Sequence, residues 1–344
     1  MLKESRQLVR DRTTFGMLLG IPILQILLFG CAIELSPRSL IMTVVVAEPN
    51  RFVQLRRLIQ AEGPTAQLEQ SHSRSAALKA LSRGQTLLVV DADAKPPVVF
   101  LDATDPVLTS QAELLLERVA RSIASPLDEE IGPPFIVQRL YNPGARTQPF
   151  IVSGLLGVIL TMSLVMMSAL TLARERENGT LEGMLNTPVR AVELWAGKLS
   201  PYVVVGMLQA AFVLVIARYG FAIHPVGSLL WLTAATFGFA IANLSLGFVF
   251  SCLARQQMQA MQMTFFFFLP SSLLSGFMFP FIAMPRWAQG LAEFLPLTHY
   301  LRIVRGLVLR GVDTEFVSHE LWPIGLFALC MTSASLAIWR RSIA

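Results

Sequence analysis

The chain alternates between long oily runs and one extended stretch of mixed character. Six apolar runs are long enough to cross a bilayer, near 14–34, 150–173, 199–217, 228–252, 262–282 and 321–339. A spanning helix needs about 20 mainly apolar residues. Between the first two runs lies a mixed insert, roughly 36–147. In it LIMTVVVAE, TLLVVD and PPVVFLDAT have the Val- and Ile-rich character of β-strands. RFVQLRRLIQA, SAALKALSRG and LTSQAELLLERVARSIA repeat apolar residues at helical spacing instead. The pattern predicts a helical membrane protein that carries a small α/β or α+β domain of about 110 residues, an ordinary single-domain size.

Composition agrees. The 344 residues are 53% hydrophobic and 15% charged, with a mean hydropathy of +0.56. Soluble chains carry about 25% charged residues, so a membrane is the main solvent here. Cys31, Cys252 and Cys330 each sit inside an apolar run. They neither staple the insert nor form a metal-type spacing. The net charge of +5 is modest, and in membrane proteins the placement of Lys and Arg matters more than their sum. Nucleic acid is therefore not an expected partner. The charged opening MLKESRQLVRDR followed by a run of spanning length reads as a first span, not a cleaved leader. LLFGC, ending at Cys31, resembles a lipoprotein cleavage site, but bulky Phe29 and the later spans argue against it.

Short loops set the expected orientation. Lys3, Arg6, Arg10 and Arg12 precede the first span; Arg174, Arg176, Arg190 and Lys198 follow the second; Arg255, Arg340 and Arg341 fall on the same side. The loop at 218–227 holds only Arg218, while 283–320 is an exception with Arg286, Arg302, Arg305 and Arg310. The positive-inside bias puts both termini in the cytoplasm and the insert outside.

The connection RERENGTLEGMLNTPVRAVELWAGK, 174–198, is the most densely charged piece of an oily chain. Gly179 can take the left-handed conformation that ends a helix. Thr180 can cap a new one, with Glu182 in its first turn against the dipole. Leu181, Met184 and Leu185 fall at i, i+3 and i+4 as a narrow apolar stripe, and Pro188 closes the element. Two readings stand at this point: a short helix that fills a groove on a soluble partner, or an interfacial helix resting on lipid. Glu175, Glu177, Glu182 and Glu193 weigh against the second, because anionic headgroups repel them.

RERENGTLEGMLNTPVRAVELWAGKLSPY, FLPLTHYLRIVRGLVLRG and the opening RQLVRDRTTFGMLLGIPILQILLFGCAIE together resemble, in order, the ABC type-2 exporter permeases. The likeness is closest to bacterial drug-export-like members with a large external insert after the first span. It implies six transmembrane helices with both termini inside, in three parts. These are the N-terminal segment and first span (1–35), an extracytoplasmic α/β domain (36–147), and five further spans (148–344). In that family the segment matching 174–198 holds the coupling helix that docks on the ATPase subunit. The resemblance assigns that role to Arg174, Glu175, Arg176, Glu177, Gly179, Thr180, Leu181, Glu182, Met184, Leu185 and Pro188. It makes 283–320 an external re-entrant segment or gate, with Pro296, His299, Tyr300, Arg302 and Arg305 as its marked residues. Read from residues alone, Arg302 and Arg305 equally suit headgroup anchoring by snorkelling.

No GxxxxGK[ST] loop occurs; Gly197–Lys198 lacks the upstream glycine and is followed by Leu199. The chain is not expected to be an enzyme or to bind a cofactor itself. The resemblance places ATP and Mg²⁺ on a separate ABC ATPase subunit in two copies. It also implies a second permease chain, identical or paralogous, and allows a periplasmic membrane-fusion adaptor. None of the six apolar cores holds Asp, Glu, Lys or Arg, which disfavours an ion-coupled transporter. Gln25, Gln209 and Asn243 read as helix-to-helix glue. The run FFFFLPSSLLSGFMF reads as lipid-facing or packed before it reads as a drug path. Asp91, Asp93, Asp102 and Asp105 read as turn and cap residues without a calcium-loop pattern, and the four histidines are isolated in sequence. The runner-up to an exporter permease, ahead of an ion-coupled transporter, is a membrane anchor that displays the insert to periplasmic partners and uses ATP as a mechanical signal.

Overall fold

The computed structural model describes residues 40–46, 49–62, 66–123, 135–144, 146–180, 183 and 190–343. The first expected span, with Gln25, Cys31 and Glu34, lies outside them.

The insert folds on a five-stranded mixed sheet of order β2-β1-β3-β4-β5. Its strands are β1 (Leu40–Val45), β2 (Ala66–Ser71), β3 (Leu88–Asp91), β4 (Val98–Asp102) and β5 (Ile136–Leu140). β1 is parallel to β2 and β3, β3 is antiparallel to β4, and β4 is parallel to β5. Helices α1 (Pro49–Glu62), α2 (Arg74–Ser82) and α3 (Pro106–Ile123) cover it. Strand alternation sorts the core. Met42, Val44, Leu88, Val90, Val99 and Leu101 meet Ile59 of α1 and Leu108, Ala112 and Leu115 of α3. The intervening Val45, Val89 and Phe100 meet Ala77 and Leu81 of α2 on the other face. The result is a three-layer α/β sandwich. Asp105 starts α3 by accepting from the N–H groups of Val107 (2.9 Å) and Leu108 (3.3 Å), with Pro106 at the first helical position. Asp102 accepts from the Thr104 N–H at 3.0 Å and hydroxyl at 2.7 Å. Among the described residues no group of acids, histidines and cysteines could hold a metal ion.

The rest is helical: α4 (Thr147–Glu177), α5 (Ala191–Phe221), α6 (Leu229–Leu253), α7 (Gln257–Leu274), α8 (Arg286–Ala292), α9 (Pro296–Arg305) and α10 (Thr314–Ile343). Four of them, α4, α5, α6 and α10, are long and apolar enough to cross a membrane. α6 is the hub: 72% of its most apolar window is buried, against 17% for α5 and 11% for α10. Gly247 permits its approach to α4, since a Cβ there would lie 1.9 Å from Ser168 Oγ and 2.4 Å from the Val165 carbonyl oxygen. Tyr300 of α9 stacks on Phe239 of α6, ring centroids 4.0 Å apart, and its hydroxyl is 2.9 Å from Thr236 Oγ1.

Two expected spans need correction. The run 262–282 is not one continuous helix: α7 ends at Leu274, and the chain turns through Gly276 at φ +84 into a 3-10 turn at Phe281–Ala283. Only a glycine enters that backbone region without strain. The helix that holds the last expected span begins at Thr314, seven residues before the expected 321, and so includes Glu315 and Glu320. Ile282 of the 3-10 turn packs against the core of the α/β domain, so the two parts touch there.

Candidate functional site

α4 has 31 residues, a length of roughly 46 Å at 1.5 Å per residue. Chemistry gathers at both of its ends.

At the C-terminal end, three consecutive charged residues of α4 each hold a different neighbour. Glu175 accepts from Lys198 Nζ of α5 at 2.7 Å. Arg176 donates to the carbonyl oxygens of Ala254 and Cys252, at the C-terminus of α6. Glu177 accepts from the backbone N–H of Gln257 at 2.7 Å and from its side chain, at the N-terminus of α7. The signs suit the helix dipoles, with a cation on the carbonyl end of α6 and an anion on the amide end of α7. α4 is thereby tied to α5, α6 and α7 within one turn.

Beyond it, Gly179 adopts φ +71 with open space around it, the left-handed stop that its position called for. The Thr180 hydroxyl turns back to Glu175, donating to its carboxylate and lying 3.2 Å from its main-chain oxygen. Leu181, Glu182, Met184, Leu185 and Pro188 lie outside the described residues. Glu193 accepts from the Arg190 N–H at 3.0 Å and so starts α5. Arg174 is exposed and makes no ion pair among the described residues. Of the charges assigned to partner contact, Glu175, Arg176 and Glu177 are spent inside the chain, whereas Arg174 and the turn 178–180 are exposed.

At the other end, the segment 283–320 folds over the start of α4. Pro296 occupies the first turn of α9. His299 Nδ1 is 2.6 Å from Glu320 of α10, and its Nε2 is 2.9 Å from the Glu293 carbonyl oxygen. Arg302 grips Glu293 with two bonds, 2.5 and 3.0 Å, and its guanidinium lies 4.5 Å above Phe281. Arg305 lies 3.9 Å above Phe150 of α4 and donates to the Gly276 carbonyl oxygen at 2.9 Å. Arg302 and Arg305 thus hold protein partners.

The α/β domain is fastened to this end by two clasps. Arg83, after α2, reaches Asp313 at 2.7 Å and Glu315 at 2.5 Å, with Lys79 3.1 Å from Asp313. These cations hold the Asp313 carboxyl down at about 2. Arg310 reaches Asp102 at 2.6 Å and Thr104 Oγ1 at 3.0 Å.

Residues 12–339 match the family described as "ABC-2 family transporter protein". The chain belongs to that family. As a member of it, the chain is 32% identical to "Probable multidrug ABC transporter permease YbhR" of Escherichia coli over 210 residues. That match covers 60% of this chain and 56% of YbhR, so it spans little more than half of that relative. It is 28% identical to "Probable multidrug ABC transporter permease YbhS" over 329 residues, 90% of this chain and 87% of YbhS. "Inner membrane transport permease YhhJ" of the same organism is 26% identical over 201 residues, 58% of this chain and 52% of YhhJ.

Within this ABC-2 chain, sequence spacing had marked 174–180 but not the partners Lys198, Gln257 and Ala254. It also missed Arg83, Glu293, Asp313 and Glu320, whose side-chain to side-chain hydrogen-bond partners lie 9 to 232 positions away. One signal was present for Gln209, read as glue: it accepts from Ser163 at 2.7 Å between α5 and α4. Asn243 instead donates to the Phe239 carbonyl oxygen of its own helix.

Proposed function

We propose that this chain is the membrane permease subunit of an ATP-driven exporter, forming half of a pathway that moves a hydrophobic or amphiphilic substrate outward. The observation that carries this reading is the junction at the end of α4. A push on the exposed turn after Glu177 reaches α5, α6 and α7 through Glu175, Arg176 and Glu177. That is what a coupling point requires. Family membership and the permease names of the relatives support it.

In this reading the chain has six spans with both termini inside, the segment 174–198 faces the cytoplasm, and the α/β domain stands outside. Two soluble ATPase subunits carry ATP and Mg²⁺, two permease chains pair, and the site is the inner membrane of a bacterial cell. A periplasmic adaptor is a further partner this arrangement accommodates. ATP-driven closure of the ATPase dimer presses on the 174–198 segments and rocks the helices between inward and outward access.

A second reading is mechanical transmission to the external domain without transport. The clasps Arg83–Asp313 and Arg310–Asp102 favour it, because they tie that domain to the start of α10. Two measurements decide. In a cysteine-free chain, an impermeant maleimide should label Arg121→Cys on α3 from outside and leave Arg174→Cys unlabelled until the membrane is opened. Labelling of Arg174→Cys from outside ends both readings. ATP-dependent dye flux in proteoliposomes of the assembly supports the exporter, and ATP hydrolysis without flux of any hydrophobic probe supports transmission.

A further inference from the structure

A cavity of about 1090 Å³ lies between the α/β domain and the 283–320 segment. Five arginines line it: Arg83, Arg286, Arg302, Arg305 and Arg310. Three have carboxylate partners: Arg83 on Asp313 and Glu315, Arg302 on Glu293, and Arg310 on Asp102. Arg305 differs. It forms no ion pair among the described residues, and only the Gly276 carbonyl oxygen and the Phe150 ring receive it. Its Nε and Nη2 are buried without an acceptor, as are Nε of Arg83 and Nε of Arg310. Arg286 stands exposed at the cavity, also without an ion pair among the described residues.

A buried guanidinium with unmet donors is destabilising unless an acceptor, best an anionic one, meets it. The acids lining the cavity are Asp105, Glu315 and Glu320. Glu315 is held by Arg83, and Glu320 by His299. Asp105 has one oxygen committed to the start of α3, and burial raises its carboxyl above the usual range while Arg305 pulls it back. The rest of the wall is mixed: Phe281, Ile282, Trp287, Leu301 and Phe316 give it an apolar side, and Gln67, Gln85, Thr104, Ser275, Gln289 and His319 also line it.

The geometry points to a binding site for an anionic amphiphile, whose phosphate- or carboxylate-type head meets the open donors of Arg305 and whose apolar body lies against Phe281 and Trp287. Guanidinium groups suit such oxyanion heads because their N–H donors form a fork. The site sits at the end of α4 opposite the junction at Glu175, so it does not depend on where ATP-driven force enters. Its ligand is either a membrane phospholipid or a free amphiphile, and the two share this chemistry.

The test uses the full chain in phosphatidylcholine nanodiscs and reads Trp287 fluorescence, with Trp287→Phe to assign the signal. Dodecyl phosphate should give a saturable change; dodecyltrimethylammonium, with the same tail and opposite charge, should not. Arg305→Gln should raise the half-saturating concentration about tenfold, the worth of one charge-assisted contact. Arg286→Gln, at an exposed position, should raise it about twofold. Competition by phosphatidylglycerol in the disc supports the site with a lipid as its source. Binding that phosphatidylglycerol leaves untouched supports it with a free amphiphile. Equal response to the cationic probe overturns the proposal, as does inorganic phosphate binding as tightly as dodecyl phosphate. A folded Arg305→Gln chain with unchanged half-saturation overturns it too. If Arg305→Gln does not fold, the comparison of the two charged probes on the unaltered chain decides.

Discussion

The two ends of α4 use charge in opposite ways. At Glu175–Glu177 each charge closes on a neighbouring helix, and the helix ends met by Arg176 and Glu177 have the complementary dipole sign. At the Phe150 end the cations crowd a cavity, and Arg305 is left with open donors. A rigid junction passes force on without needing a ligand, whereas an unmet cation beside a cavity is built to receive one. In the proposed reading the same helix carries a mechanical end and a binding end, joined by its contact with α6.

Breaking that contact should have the largest effect. Gly247→Val places side-chain atoms where Ser168 Oγ and the Val165 carbonyl already lie. The expected loss is about 3 kcal/mol, the upper range for overpacking, read as a lower unfolding midpoint in mild detergent. A midpoint unchanged from the parent chain would mean that α4 and α6 are not held at this distance. Next comes Arg176→Ala, which frees the carbonyls of Cys252 and Ala254 and should cost about 2 kcal/mol. Hydrogen exchange should rise in the 252–257 turn and stay as it was around Phe150; a uniform rise would blur the distinction between the ends.

Asp102→Asn, which turns an amide toward Arg310, should cost about 1–2 kcal/mol. It should speed proteolysis of the α/β domain before the helices respond. The smallest effect is expected from Lys79→Ala, an exposed partner of Asp313, at below about 0.5 kcal/mol. The Asp313 clasp gives a pH signature with a definite sign. Its carboxyl is depressed to about 2 in the folded chain, against about 3.9 unfolded. Its contribution is therefore complete above about pH 4 and fades as pH falls toward 2. A loss of domain docking between pH 7 and 5 would assign the clasp to other groups.

What the sequence revealed tracks how deeply each element is buried. β1, β3 and β4 were legible because both faces are covered and Val, Ile and Leu fill them. β2, AQLEQS, and β5, IVQRL, are edge strands whose residues are largely exposed, so no apolar run announced them. The run 262–282 is apolar throughout, and hydropathy alone cannot place the break that Gly276 makes inside it. At the candidate site, the helix stop at Gly179 was legible because it is local. The pair His299–Glu320 was not, because it forms only when α9 folds back on α10. Arg305 was visible as a residue, yet the missing acceptors for its Nε and Nη2 are a property of three segments meeting.

The central claim is that force enters this chain at Arg174 and the following turn from a separate ATPase. A photo-crosslinking amino acid placed at position 174 in cells tests it most directly. The account predicts an adduct with a soluble nucleotide-binding subunit that also takes up photoreactive ATP. It is contradicted if position 174 captures no such subunit while the same probe at Arg121 on α3 does.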